Sequence, residues 1–259
     1  MTEVKISLRL SSFREQRIYG KGDYNIMGVK LDCKNRLASE VRFLLEQPIV
    51  KNQIVFYGDS SFTRWRRTYP TCPPEELAGL ELEEAVLDTD GRRCCLNRGF
   101  GGATAEELLY FYPQIILPLE PRALVLKVFG NDFSFAYSPH EIMSLLERII
   151  TWARLDFPGI KFYICSQRIL ARSETIDRVA YGIARREYRR LIEDYANNHD
   201  DCRVLVHEDF PLFFERSEDV GNYDLARRDI YVDDQVHFNA EGYALYAKFF
   251  RYELFGVPF

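Results

Sequence analysis

The chain has 259 residues, 47% of them hydrophobic, enough to bury the core of one good-sized α/β domain or two small ones, so neither disorder nor a metal-stapled mini-fold is called for. A formal net charge of −5 gives no overall electrostatic case for binding nucleic acid or an acidic membrane. The six cysteines (Cys33, Cys72, Cys94, Cys95, Cys165 and Cys202) make no C-x-x-C pair and have no histidine at zinc-ligand spacing, which argues against a metal site and for a reducing compartment. The first residues alternate polar and apolar with no continuous apolar run, and no stretch approaches the ~18 apolar residues of a membrane span. The expectation is a cytoplasmic protein.

In chain order, residues 1–50 read as an extension packed on the main domain. Val4, Ile6, Leu8 and Leu10 alternate as in a half-buried strand, glycines 20, 22 and 28 mark a loop, and Leu37, Val41, Leu44 and Leu45 recur at helical spacing before Pro48. The main domain is taken as 51–259, and from residue 53 the rhythm becomes strand, loop, helix. Apolar runs at Ile54–Tyr57, Cys94–Leu96, Ala123–Phe129, Phe162–Cys165 and Val204–Val206 predict five short strands, with Cys94, Cys165 and Cys202 as buried thiols in them. Helical patterns cover about Ala105–Ile116, Pro139–Leu155, Glu174–Asn197 and Ala240–Leu254, and residues 66–92 read as a surface excursion. The basic run Arg185, Arg186, Arg189 and Arg190 reads as the solvated face of the third helix. Strands alternating with helices imply a mostly parallel sheet covered on both faces, with ligands beyond the carboxyl ends of the strands.

The segments just after the strands carry the chemistry. Gly58-Asp59-Ser60-Ser61 comes after the first strand; a serine on a strand-to-helix turn exposes its hydroxyl, although Gly-Asp-Ser is also ordinary turn and cap chemistry. Asn97-Arg98-Gly99-Phe100-Gly101-Gly102-Ala103-Thr104 comes after the second. Its glycines let backbone N–H groups approach a ligand, whereas a phosphate loop would need a lysine or G-x-G-x-x-G spacing that it lacks. Gly130-Asn131-Asp132 comes after the third and offers an amide donor. Asp234-x-x-His237 precedes Asn239, a plausible cap for the last helix, and no other histidine of the chain has an acid three residues earlier. Each feature alone is weak. Together they supply a nucleophile, a base with its orienting acid, and oxyanion donors, the parts that acyl transfer needs.

These four blocks resemble blocks I, II, III and V of the SGNH/GDSL hydrolases over roughly residues 53–255, and Asn97–Thr104 is similar to the platelet-activating-factor acetylhydrolase-like and carbohydrate esterase-like branches. Ser61 replaces the leucine of the GDSL name, and Ala103 stands where many members carry a polar residue. The resemblance implies a three-layer flavodoxin-like sandwich with a five-stranded parallel sheet over 51–259. It also implies catalysis by Ser60, His237 and Asp234, and an oxyanion hole of the Ser60 and Gly102 N–H groups with the Asn131 amide.

Trp65, Phe133, Phe135 and Tyr137 are candidates to wall a small acyl pocket or a sugar-stacking platform; packing against residues 1–50 is the alternative. No long apolar lid is evident, so a short acyl group, such as acetyl on a carbohydrate, is the expected substrate. An acyltransferase acting on a sugar, a lysophospholipase or thioesterase, and a non-catalytic carbohydrate binder remain open. No cofactor or metal is implied, no nucleic-acid partner is expected, and residues 1–50 could extend the sheet, cover the site or mediate a homo-oligomer.

Overall fold

The computed structural model describes residues 32–167, 178–220 and 226–259. The expected N-terminal strand, the glycines of its loop and the start of the third helical pattern lie outside those residues. Two short helices come first, α1 (Cys33–Arg36) and α2 (Ala38–Leu45). The sheet and its main helices begin with β1 (Ile54–Gly58), α3 (Ser60–Thr63), α4 (Leu82–Ala85), β2 (Cys95–Asn97), α5 (Ala105–Ile115), β3 (Ala123–Lys127) and α6 (Gly130–Ser134). Then come α7 (Pro139–Asp156), β4 (Lys161–Cys165), α8 (Arg178–Asn197), β5 (Cys202–Leu205) and α9 (Ala240–Phe255).

The strands form one five-stranded parallel sheet in the order β2-β1-β3-β4-β5. The chain steps outward from β1 to β2 and then returns to the other side of β1 for β3, which places the switch point of a doubly wound sheet between β1 and β3. The period-2 alternation of the strands divides the core into two halves. Val55, Tyr57, Leu124, Leu126, Phe162 and Ile164 face a cluster shared with α2, α5, α7 and α8. Ile54, Phe56, Cys95, Ala123, Val125 and Cys165 face a second cluster built on Tyr243, Tyr246, Phe249 and Phe250 of α9. Strands buried on both faces therefore read as unbroken apolar runs. Lys127 is the exception. It closes the third run with a charge, yet it is fully buried.

Helix boundaries obey local chemistry. Thr104 and Glu107 form a capping box that starts α5, and Ser138 with Glu141 starts α7 with Pro139 in its first turn. Asn239 caps α9 by accepting from the Gly242 N–H at 3.0 Å, and Gly256, at φ +68°, ends it. Two expectations need correction. Cys202 opens β5, the last strand of the sheet among the described residues, and is only half-buried. Arg185 and Arg189 are not part of a simply solvated face: Arg185 pairs with the buried Glu208 at 3.1 Å, and Arg189 bridges Glu193 and Asp209. Arg186 and Arg190 are exposed.

Candidate active site

At the end of β1 the backbone turns into α3 at Asp59, whose carboxylate accepts from the Ser61 N–H at 2.9 Å and caps the turn. That cap sets Ser60 at the head of α3, half-buried at the carboxyl edge of the sheet. Behind it, the Lys127 ammonium lies 3.7 Å from the Asp59 carboxylate and donates to Gln167 Oε1 at 2.6 Å and to the Val128 carbonyl at 3.2 Å. A buried ammonium is tolerated because its donors find a carboxylate, an amide and a carbonyl.

His237 arrives from the loop ahead of α9. Val232 donates its N–H to the His237 carbonyl at 2.9 Å, and Gln235, in the left-handed region at φ +55°, turns the loop between them. Asp234 Oδ1 accepts the N–H groups of Val236 and His237, both at 2.8 Å, which clamps the loop around its own acid. Asp234 Oδ2 lies 2.5 Å from His237 Nδ1, and His237 Nε2 lies 2.7 Å from Ser60 Oγ. Burial on its own would raise the Asp234 carboxyl, but the imidazole of His237 and the two N–H donors outweigh it and hold the acid well below the usual carboxylate range. Arg64 reaches the same carboxylate at 3.4 Å while pairing with Glu76 at 2.8 Å. An ionised acid on Nδ1 favours the tautomer in which Nε2 accepts from the hydroxyl beside it.

The glycine block after β2 lies directly against this turn. The Phe100 N–H donates to the Gly58 carbonyl at 3.0 Å, and a Cβ on Gly99 would come within 2.5 Å of the Phe62 Cβ and 3.1 Å of the Thr63 N, so only glycine permits the contact. Gly102 sits at φ +72°, again glycine territory. After β3, Asn131 Nδ2 donates to the Ala103 carbonyl at 2.9 Å, which brings the third block onto the second. Asp132 ties them further: fully buried, it accepts from the Ala105 N–H at 2.7 Å and the Phe129 N–H at 2.9 Å. Burial pushes its carboxyl up to about 6, against the pull of those donors.

The four candidate aromatic residues divide. Trp65 is fully buried in the second core cluster, stacked on Tyr246 at 5.4 Å and beside Tyr243 at 5.3 Å, so it walls no pocket. Among the described residues its ring partners include Tyr243, Tyr246 and Phe250 of α9. Phe133 packs edge-on against Tyr181 at 5.1 Å, and the Tyr137 hydroxyl donates to Glu106. Phe135 is exposed, with the Arg36 guanidinium 4.7 Å from its ring centroid. A cavity of about 610 Å³ lies elsewhere, lined by Phe210, Phe249, Tyr252 and Phe259, and includes none of Ser60, Asp234 or His237. Among the described residues, no group of three or more His, Cys, Asp or Glu side chains is placed to hold a metal ion. Among the same residues, no helix is long and apolar enough to cross a membrane.

Sequence reasoning missed Lys127, Gln167, Arg64 and Arg36. Lys127 had a signal, the lone charge in an apolar strand run; the other three reach the site only through the fold.

A doubly wound α/β sheet with a serine, a histidine and an aspartate in one hydrogen-bonded line at its switch point defines the class of protein. The chain belongs to the GDSL-like lipase/acylhydrolase family, whose model matches residues 56–245, and is thus a hydrolase acting on ester bonds. Solved structures share the fold. A GDSL-like lipase from Bacteroides thetaiotaomicron superposes with a TM-score of 0.60 at 18% identity, covering 85% of this chain and 97% of its own. A lipase/acylhydrolase from Enterococcus faecalis gives 0.57 at 17% identity, over 79% and 96%. An acetyl xylan esterase gives 0.53 at 20% identity, over 76% and 96%. A search of curated protein sequences returned no match.

Proposed function

We propose that this acylhydrolase is a serine esterase that removes short acyl groups, acetyl foremost, from an alcohol such as a carbohydrate hydroxyl. The observation that carries the reading is the unbroken line Ser60 Oγ–His237 Nε2 at 2.7 Å and His237 Nδ1–Asp234 Oδ2 at 2.5 Å. Ser60 Oγ attacks the ester carbonyl carbon while His237 takes the hydroxyl proton, and Asp234 stabilises the imidazolium that forms. The N–H groups of Ser60 and Gly102 and the second Nδ2 hydrogen of Asn131, the first being given to Ala103, receive the developing oxyanion. His237 then hands its proton to the departing alkoxide as the carbon–oxygen bond breaks. Water, activated by the same imidazole, releases the acid and restores Ser60.

Support for a short acyl group comes from the burial of Trp65 and the engagement of Phe133 and Tyr137 in packing, which leave Phe135 as the exposed ring among the four candidates. The similarity to an acetyl xylan esterase supports a carbohydrate leaving group. The six free thiols support a reducing compartment such as the cytoplasm. The test is a rate series on p-nitrophenyl esters from acetyl to decanoyl. The fastest turnover is expected at acetyl, with a loss of about 10⁵–10⁶ in kcat for Ser60→Ala. A maximum at decanoyl would overturn the substrate, and undiminished turnover by Ser60→Ala would overturn the mechanism.

A further inference from the structure

Glu107 is fully buried, and its Oε2 accepts from the Thr104 N–H at 3.0 Å and the Thr104 hydroxyl at 3.1 Å, closing the capping box of α5. A carboxylate buried this deeply requires a cation. Arg36, on α1 and well ahead of the region matched by the family, supplies it: Nε donates to Glu107 Oε1 at 2.6 Å and Nη2 donates to Oε2. The other hydrogen of the same Nη2 goes to the Gly102 carbonyl at 2.7 Å. The next carbonyl along, that of Ala103, is held by Asn131. Two successive carbonyls of the glycine block are therefore fixed, one by Arg36 of α1 and one by the turn after β3. Gly102, at φ +72°, holds a backbone conformation that side chains rarely adopt, and the Arg36 bond fixes its carbonyl there.

We propose that Arg36 is a positioning residue for the oxyanion hole: by bridging Glu107 and the Gly102 carbonyl it locks the backbone of Gly102 so that its N–H faces the developing negative charge. Only a planar fork bridges the two acceptors at once; a lysine ammonium satisfies the charge of Glu107 without holding the carbonyl in the same geometry. The inference rests on the esterase reading above, and it gives the residues before β1 a part in catalysis.

The test compares wild-type protein with Arg36→Lys and with Arg36→Ala/Glu107→Gln, using p-nitrophenyl acetate turnover and inhibition by a boronic acid, whose tetrahedral adduct mimics the intermediate. Glutamine preserves the capping box and leaves no orphaned charge, and lysine keeps the ion pair, so folding is retained and is checked by near-ultraviolet circular dichroism. Both variants are expected to lose about 10–100-fold in kcat with KM changed by less than about threefold, and to lose boronate affinity in step with kcat. Wild-type kcat in both variants overturns the proposal. So does a loss confined to KM, or a fall in kcat with boronate affinity unchanged, since a merely structural contact would not favour the tetrahedral state. A wild-type chain that hydrolyses no ester overturns the esterase reading itself, a result distinct from any of these.

Discussion

In the proposed mechanism Asn131 is a single side chain on which much of the chemistry rests. Its amide has two hydrogens: one is bonded to Ala103 at 2.9 Å, and the other is the donor assigned to the oxyanion. Asn131→Ala should therefore lower kcat by about 10²–10³ while leaving KM within a few-fold, as measured by steady-state kinetics on an acetyl ester. A wild-type kcat would remove Asn131 from the hole. The pairing of Asp234 with His237 was legible in the sequence because it is local: three residues separate them, and the clamp of Asp234 on the Val236 and His237 N–H groups is built within the same loop. Trp65 was misleading for the opposite reason. Its place is set by a distant element: α3 ends at Thr63 and the indole stacks on Tyr246 of α9.

At the scale of elements, β1 and β3 were readable because each is buried on both faces, so apolar runs mark them directly, whereas the outer β5 is only partly covered. Apolar spacing placed α5 and α7, and the Asn239 cap placed the start of α9. What local pattern does not reveal is which elements are tied together. Asp132 binds the start of α5 to the turn after β3 through two backbone donors, and burial lifts its carboxyl to about 6. A folded-state value above the ordinary one, near 4, means the native state holds the proton more tightly than the unfolded chain. That contribution to stability is fully present below about pH 4 and is lost as pH rises through about 6. Compared with Asp132→Asn, wild-type protein should lose melting temperature between about pH 4 and pH 6, a difference that levels off above it. Parallel melting curves for the two proteins would contradict the buried, proton-retaining carboxyl. Asp234, held low, acts in the opposite sense: its contribution is full above the ordinary carboxylate value and is lost as pH falls from there toward its own lower value.

At the scale of the whole molecule, the helices before β1 pack on the sheet. Leu37, Val41 and Leu44 share one core cluster with Val55, Tyr57 and Leu124 of the sheet, and Arg36 reaches the glycine block beside the nucleophile turn. The sequence pattern located the site because doubly wound sheets put their chemistry after the strands, at the switch point. It could not show that a segment outside the repeating rhythm supplies a contact there, since that contact joins residues 36 and 102 across the fold. The central claim is that Ser60, activated by His237, is the nucleophile. The most direct test is mass spectrometry of the protein after exposure to a fluorophosphonate. A single adduct on the peptide containing Ser60, absent in Ser60→Ala and strongly slowed in His237→Ala, is the predicted result; labelling that persists in Ser60→Ala, or that proceeds at the wild-type rate in His237→Ala, would contradict it.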